Sequence, residues 1–156
     1  MTTRRQFLVL AGGALAGSAA RAQLPPNVEA QRTAALAEAV RKVTGGAELR
    51  RGRVKLDLPS LIDNGNSVAL SVEVASPMSA ADHVTAIHVF TEKNPQPYII
   101  TAHLGPRAGR ARITTRARIA STGTVLAIAQ LSDGSFWSDS VSVVVTLSAC
   151  PEDGST

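Results

Sequence analysis

"NGNSVALSVEVASP", residues 64–77, alternates apolar and polar side chains between two turn signals, Asn64-Gly65 and Ser76-Pro77. Val68, Leu70, Val72 and Val74 fall on one side at a period of two, the repeat of a β-strand with one buried face. A helix would scatter these four around its circumference. The run 136–147 repeats the pattern, with Val141, Val143, Val145 and Leu147 on one side and serines and Thr146 among the residues between. These two faces are the expected core.

Working outward, turn signals recur at Asn94-Pro95-Gln96-Pro97, Pro106 to Gly109, Ser121 to Gly123 and Asp133-Gly134. They delimit seven runs, near 53 to 61, 67 to 75, 84 to 92, 98 to 104, 110 to 119, 124 to 131 and 136 to 147. Short strands at this spacing predict an all-β fold, an immunoglobulin-like antiparallel β-sandwich of about seven strands. One N-terminal α-helix precedes it. The alanine-rich stretch 27–44 spaces Leu36, Val40 and Val43 four and three apart, with Asn27 as N-cap and Gly45-Gly46 as stop. The expected organisation is an export signal over 1–22, the helical segment over 23–46, the sandwich over 47–147 and a tail over 148–156.

The signal is read from Arg4 and Arg5 in a Thr-Arg-Arg-x-Phe-Leu context, a mild apolar stretch from Phe7 to Ala20 and a small-x-small site at Ala20-Arg21-Ala22. This is the pattern of twin-arginine export, which places the mature chain, from about Gln23, in the periplasm. The apolar stretch is too short to span a bilayer as a helix, which takes about 20 residues, so no membrane association is expected after cleavage. An uncleaved amphipathic anchor is the alternative reading. Of 16 basic residues, Arg4, Arg5 and Arg21 leave with the signal, and 13 remain against 12 acidic ones. The high isoelectric point is therefore no argument for nucleic acid.

The function classes that remain are few. His83, His88 and His103 lack a zinc-like spacing, and no second cysteine exists to complete a soft site, so no metal and no cofactor are expected. His88, between Ile87 and Val89, reads as a half-buried strand residue. No nucleophile elbow, phosphate loop or dinucleotide fingerprint occurs, and no catalytic residue is assigned. Asp133-Gly134 beside Phe136 and Trp137 reads as a tight hairpin with aromatic packing. In "RARITTRARI", 110–119, Ala111, Ile113, Thr115, Ala117 and Ile119 share one face, while Arg110, Arg112, Arg116 and Arg118 stand with Thr114 on the other. That ladder is either a solvated strand face or a docking and anion-attracting surface, since closely spaced guanidinium groups pair with carboxylates and oxyanions. The group with evident reactive chemistry is Cys150, the single cysteine of the 156 residues. In an exported protein an odd cysteine means either intermolecular pairing or a reactive thiol.

The stretches "SPMSAADHVTAIHVFTEKNPQPYIITAHLGP" (76–106) and "ITTRARIASTGTVLAIAQLSDGSFWSDSVSVVVTLSAC" (113–150) resemble the SoxY family, the sulfur-carrying subunit of the bacterial thiosulfate-oxidising (Sox) system. The likeness takes in the twin-arginine signal, the helix ending "VTGG", and the segments "VKLDLP" and "DNGNSVALSVEV". It implies an immunoglobulin-like sandwich without catalysis of its own and a small β-sandwich companion, SoxZ, as heterodimer partner. It also implies an inorganic sulfur substrate held covalently on a C-terminal cysteine, here Cys150. Separate haem-containing, hydrolase and dehydrogenase components of the system then act on that substrate.

In the family the cysteine sits in a Gly-Gly-Cys-Gly-Gly arm, where glycine gives freedom to thread narrow channels. Here Ser148 and Ala149 precede the thiol, Pro151 follows it, and Glu152 and Asp153 come next. Pro151 fixes its own φ and biases Cys150 toward extended backbone, while nearby carboxylates disfavour a thiolate. The resemblance thus implies a carrier on a stiffer, bulkier and more acidic arm. The alternative is a divergent, non-carrying member that serves as a binding module for a companion subunit, its tail inert or in an intermolecular disulfide.

Overall fold

The structure, a computed structural model, describes residues 26–147. Helix α1 spans Pro26–Thr44. It begins one residue before Asn27, because proline, with no N–H to leave unpaired, suits the first helical position; Asn27 lies inside the helix and is not its cap. Glu29 in the first turn and Arg41 and Lys42 in the last complement the helix dipole, and Glu38 pairs with Lys42 one turn on at 2.9 Å. The helix stops where Gly45 and Gly46 take φ of 64° and 87°, and Gly45 N–H donates to Arg41 O at 2.8 Å.

Nine strands follow among the described residues: β1 (Leu49–Arg50), β2 (Val54–Asp57), β3 (Leu61–Asn64), β4 (Val68–Val74), β5 (Val84–Thr91), β6 (Tyr98–His103), β7 (Arg112–Ala117), β8 (Gly123–Leu131) and β9 (Phe136–Leu147). They form two sheets. The smaller is antiparallel in the order β2-β4-β7, and the larger runs β1-β9-β8-β5-β6, with β3 also against β9. The alternation of 64–77 carries over directly: Val68, Leu70, Val72 and Val74 are all buried between the sheets. They meet Val84, Ile87 and Val89 of β5, Val125 of β8, and Val143 and Val145 of β9.

Three further features depart from the sequence reading. The run expected over 53–61 is two strands in different sheets, because the chain crosses between them at Leu58-Pro59-Ser60, where proline withholds a ladder donor. The sandwich is not wholly antiparallel either, since β1 and β3 pair parallel with β9 through Leu49↔Phe136 and Leu61↔Val144. Both lie along the edge of β9 opposite β8 and cover it in tandem. The last core residue expected on β9 is the third departure: Val143 and Val145 are buried, but Leu147 is 66 % exposed. Gly123, the first residue of β8, pairs with Val143, so β9 outruns β8 and β3 is the strand that pairs with its end. Truncating Leu70 to alanine should accordingly cost about 2–5 kcal/mol. The same change at Leu147 should leave the denaturation midpoint essentially where it was, a contrast that urea titration of the two variants reads directly.

A smaller cluster lies on the outer face of the larger sheet. There Phe90, Ile128 and Phe136 are covered by Leu36, Ala39, Val40 and Val43 of α1 together with Leu49 and Leu126. The helix thus spends the apolar face read from its spacing on one half of the sheet. No helix among the described residues is long and apolar enough to cross a membrane.

Candidate functional site at the end of the last strand

Cys150 lies outside the described residues, as do Arg4 and Arg5 of the expected export signal. What the structure places is the root from which the arm departs, since β9 ends at Leu147, three residues before the thiol. The root is tied down from several sides. Gly65 N–H donates to Leu147 O at 3.2 Å, and Ile119 N–H donates to Gly65 O at 2.8 Å. Thr146 Oγ1 donates to Asp63 O at 3.0 Å, and Val145 N–H to Thr122 Oγ1 at 3.0 Å. The turn before β4 is an Asx turn in which Asn64 Oδ1 accepts from Asn66 N–H at 2.9 Å. The arm therefore leaves from a fixed point.

The arginine ladder runs to that same end. β7 is the edge strand of the smaller sheet, with Ala111, Ala117 and Ile119 buried and Ile113 and Thr115 half-buried. Arg110, Arg112, Arg116 and Arg118 are all exposed. Arg116 donates from Nε to Ser67 Oγ at 2.8 Å, and Arg118 donates to Asn66 Oδ1 at 3.4 Å. An open groove of about 440 Å3 lies beside the middle of the ladder, bordered by Asp57, Pro59, Ala69, Ser71, Arg112 and Thr114.

Asn94, which no sequence signal marked beyond its place in a turn, is a clamp at this end. Its Nδ2 donates to Arg118 O at 2.9 Å and its Oδ1 accepts from Ala120 N–H at 2.8 Å, holding the segment that follows β7. Lys93 beside it lies against Glu29 and Glu92 at 3.5 and 3.6 Å. Replacing Asn94 by alanine would leave the Ala120 donor without its acceptor, an expected loss of about 1–3 kcal/mol measurable by thermal denaturation.

The histidines are not gathered. His83 stands before β5 with Nδ1 near Ser79 O at 3.1 Å, while His88 and His103 lie on adjacent strands. Among the described residues no group of three or more His, Cys, Asp or Glu could hold a metal ion. His88 is more enclosed than a half-buried residue: it is 7 % exposed, with Nδ1 at 2.6 Å from Thr101 Oγ1 and Nε2 buried without a partner. Burial holds its imidazole below the ordinary value of 6.5, the charge of His103 adding to the effect. The folded state keeps His88 neutral while the unfolded chain binds a proton near that value. Stability is thus present above the ordinary imidazole range and falls as the pH drops through it toward the lowered folded value. Denaturant titrations at pH 7.5 and pH 5 should show this loss in the parent and a smaller one in His88→Gln.

The Asp133-Gly134 turn is the hairpin its sequence suggested. Gly134 has φ 81°, and Asp133 accepts from Ser135 N–H at 2.8 Å; the Ser135 hydroxyl, and after it this N–H, hold the Asp133 carboxyl below the usual range. Trp137 donates to Ser135 Oγ at 3.1 Å, and the guanidinium groups of Arg53 and Arg50 lie 5.2 and 5.9 Å from its ring centroid. This packing sits at the opposite end of β9, 12 residues long, from the arm root.

A family model described as "Sulfur oxidation protein SoxY" matches residues 40–150, ending on Cys150. The chain belongs to the SoxY family. The matched span holds every strand of the described residues and runs on to Cys150, while residues 1–39, with most of α1, precede it and Pro151 onward follow it. Among solved structures, the sulfur carrier protein SoxY from Chlorobium limicola f thiosulfatophilum has a TM-score of 0.61 at 23% identity. That alignment covers 73% of this chain and 98% of the other. The superoxide reductase (neelaredoxin) from Ignicoccus hospitalis has a TM-score of 0.54 at 17% identity over 60% of this chain and 80% of its own. The superoxide reductase from Nanoarchaeum equitans has a TM-score of 0.52 at 11% identity over 62% and 100%. These structures share the fold, and a fold common to a carrier and to reductases does not itself specify chemistry. No curated protein matches the chain. Membership in the SoxY family supports a sulfur-carrier role in the Sox system.

Proposed function

We propose that this chain is a periplasmic sulfur carrier that holds oxidised sulfur covalently on Cys150. The observation that carries the reading is the family match, which runs along the sandwich and ends on that cysteine. The chemistry balances simply. The Cys150 thiol and one thiosulfate form a sulfur–sulfur bond, release one proton and pass two electrons to a haem-containing partner. The product is a cysteine S-thiosulfonate. A hydrolase component then adds water across the terminal S–S bond, freeing sulfate and leaving a persulfide for the dehydrogenase component. The carrier supplies no catalytic group. Its contribution is to keep the reactive sulfur attached while the arm moves between active sites.

Export by the twin-arginine route and pairing with a SoxZ-like β-sandwich companion belong to the same reading, which the motif around Arg4 and Arg5 supports. The exposed ladder of Arg110, Arg112, Arg116 and Arg118 is the proposed surface for an acidic partner or for the anionic cargo, because four guanidinium groups on one edge raise the local potential. Intact-mass measurement tests the loading: incubation with thiosulfate and the haem-containing enzyme should add the mass of one S2O3 unit per chain. An unmodified mature protein overturns it. Co-expression with the companion should yield a one-to-one complex through size exclusion, and recovery of monomer alone counts against the pairing.

A further inference from the structure

The smaller sheet has two edges, and the chain treats them differently. In an antiparallel ladder every second residue turns its N–H and C=O away from its neighbour, toward the next strand or toward open space. On β2 those residues are Val54 and Leu56, because the ladder continues through Ala75 N–H donating to Arg53 O. The Leu56 donor is capped by Asp139 Oδ2 at 2.9 Å. On β7 the bond from Val74 N–H to Ala111 O at 2.8 Å sets the same alternation, so Arg112, Thr114 and Arg116 turn their backbone groups outward. Among the described residues these three N–H groups have no acceptor.

The side chains beside those groups carry one sign. Arg112, Thr114 and Arg116 are exposed together on the outer face. Arg112 forms no ion pair among the described residues, although Glu73 is its partner in register. Arg116 donates from Nε and Nη2 to Ser67, contacts that orient its guanidinium without neutralising it. Residues 93–132, which include both β6 and β7, hold no Asp or Glu, against one lysine and five arginines. A second copy laid along this edge would set like charges face to face, which opposes pairing. Charged side chains on an edge exclude strands at large, but an acidic strand is admitted.

We propose that β7 is an acceptor edge for an extended acidic segment of a partner protein, added antiparallel as a fourth strand of the smaller sheet. The residues set opposite Arg112, Thr114 and Arg116 exchange backbone hydrogen bonds with them and place their own side chains on the same outer face. Carboxylates there meet the two guanidinium groups. The residues between turn inward beside Ile113 and Thr115, half-buried at the rim of the core, and are apolar. The segment therefore carries an acid at every second position. This rests on the ladder being a surface for an acidic partner, and it is independent of whether Cys150 loads sulfur.

The probe is the peptide Glu-Val-Asp-Val-Glu-Val-Asp, blocked at both ends and added to the isotope-labelled mature chain from Gln23 under a thiol reductant, observed by NMR. At saturation, hydrogen exchange at the Arg112, Thr114 and Arg116 amides should slow at least about tenfold. N-methylation of the peptide's acidic residues removes the donors that face β7 and should weaken binding at least about tenfold, whereas N-methylation of its valines should leave binding unchanged. Arg112→Gln/Arg116→Gln should weaken the parent peptide by a similar factor. The peptide variants leave the protein untouched, so a folding defect cannot imitate their effect. Equal binding of the acid-methylated peptide overturns strand addition while leaving the ladder a surface for acidic partners, and failure of every acidic peptide to affect these amides overturns both. Slow exchange that is present without peptide and lost on dilution also overturns the proposal, because it places a second copy on the edge.

Discussion

Cys150→Ser should abolish loading altogether. Serine preserves the shape of the arm but replaces a soft, ionisable thiol by a hydroxyl that forms no stable bond to sulfane sulfur under these conditions. The variant must fold as the parent does, because the sandwich core closes with Val143 and Val145 well before the arm begins. Companion binding and thermal stability are therefore expected to be unchanged while the mass increase vanishes. A residual adduct on the serine variant would move the chemistry to another side chain. The chain has no other cysteine, so the carrier reading would then lose its physical basis.

The second large effect concerns the arm. Replacing Ser148, Ala149, Pro151 and Glu152 by glycine should speed loading by the haem-containing partner at least about tenfold. Each change from a restricted residue to glycine returns about 0.4–1 kcal/mol of backbone freedom, and removing the side chains lifts the steric bar to a narrow channel. Removing Glu152 also takes away a carboxylate that disfavours the thiolate. Stability should barely move, since the arm root is fixed by Gly65, Thr122 and Asp63 and not by the arm itself. A glycine arm that loads no faster would show that the native tail is not what limits delivery. A glycine arm that loads while the native one does not would make this chain a non-carrying member of its family.

Much of this was legible in the residues. Period-two alternation fixed the faces of β4 and of β7, including the split between the inward Ala111, Ala117 and Ile119 and the outward arginines. The helix declared itself through Leu36, Val40 and Val43, which meet Phe90, Ile128 and Phe136. Strands β1 and β3 did not, because two and four residues carry no pattern of their own and exist only by pairing with an edge of β9. Leu147 misled for a related reason: alternation tells which side a residue takes, not whether anything lies opposite. At the site, the thiol and the ladder could be named from sequence, but that the end of β9 lies beside the end of the ladder could not. That proximity depends on the bridge from Leu147 through Gly65 to Ile119, across 82 and 54 residues of chain. The clamp by Asn94 was invisible for the same reason.

The central claim is that Cys150 is where the sulfur is carried, and peptide mapping tests it most directly. After incubation with thiosulfate and the haem-containing enzyme, tryptic cleavage after Arg118 releases residues 119–156 as one peptide containing Cys150. The account predicts the added mass on that peptide alone, removable by a thiol reductant and absent without the enzyme. An added mass on any other peptide, or none on this one, would contradict it.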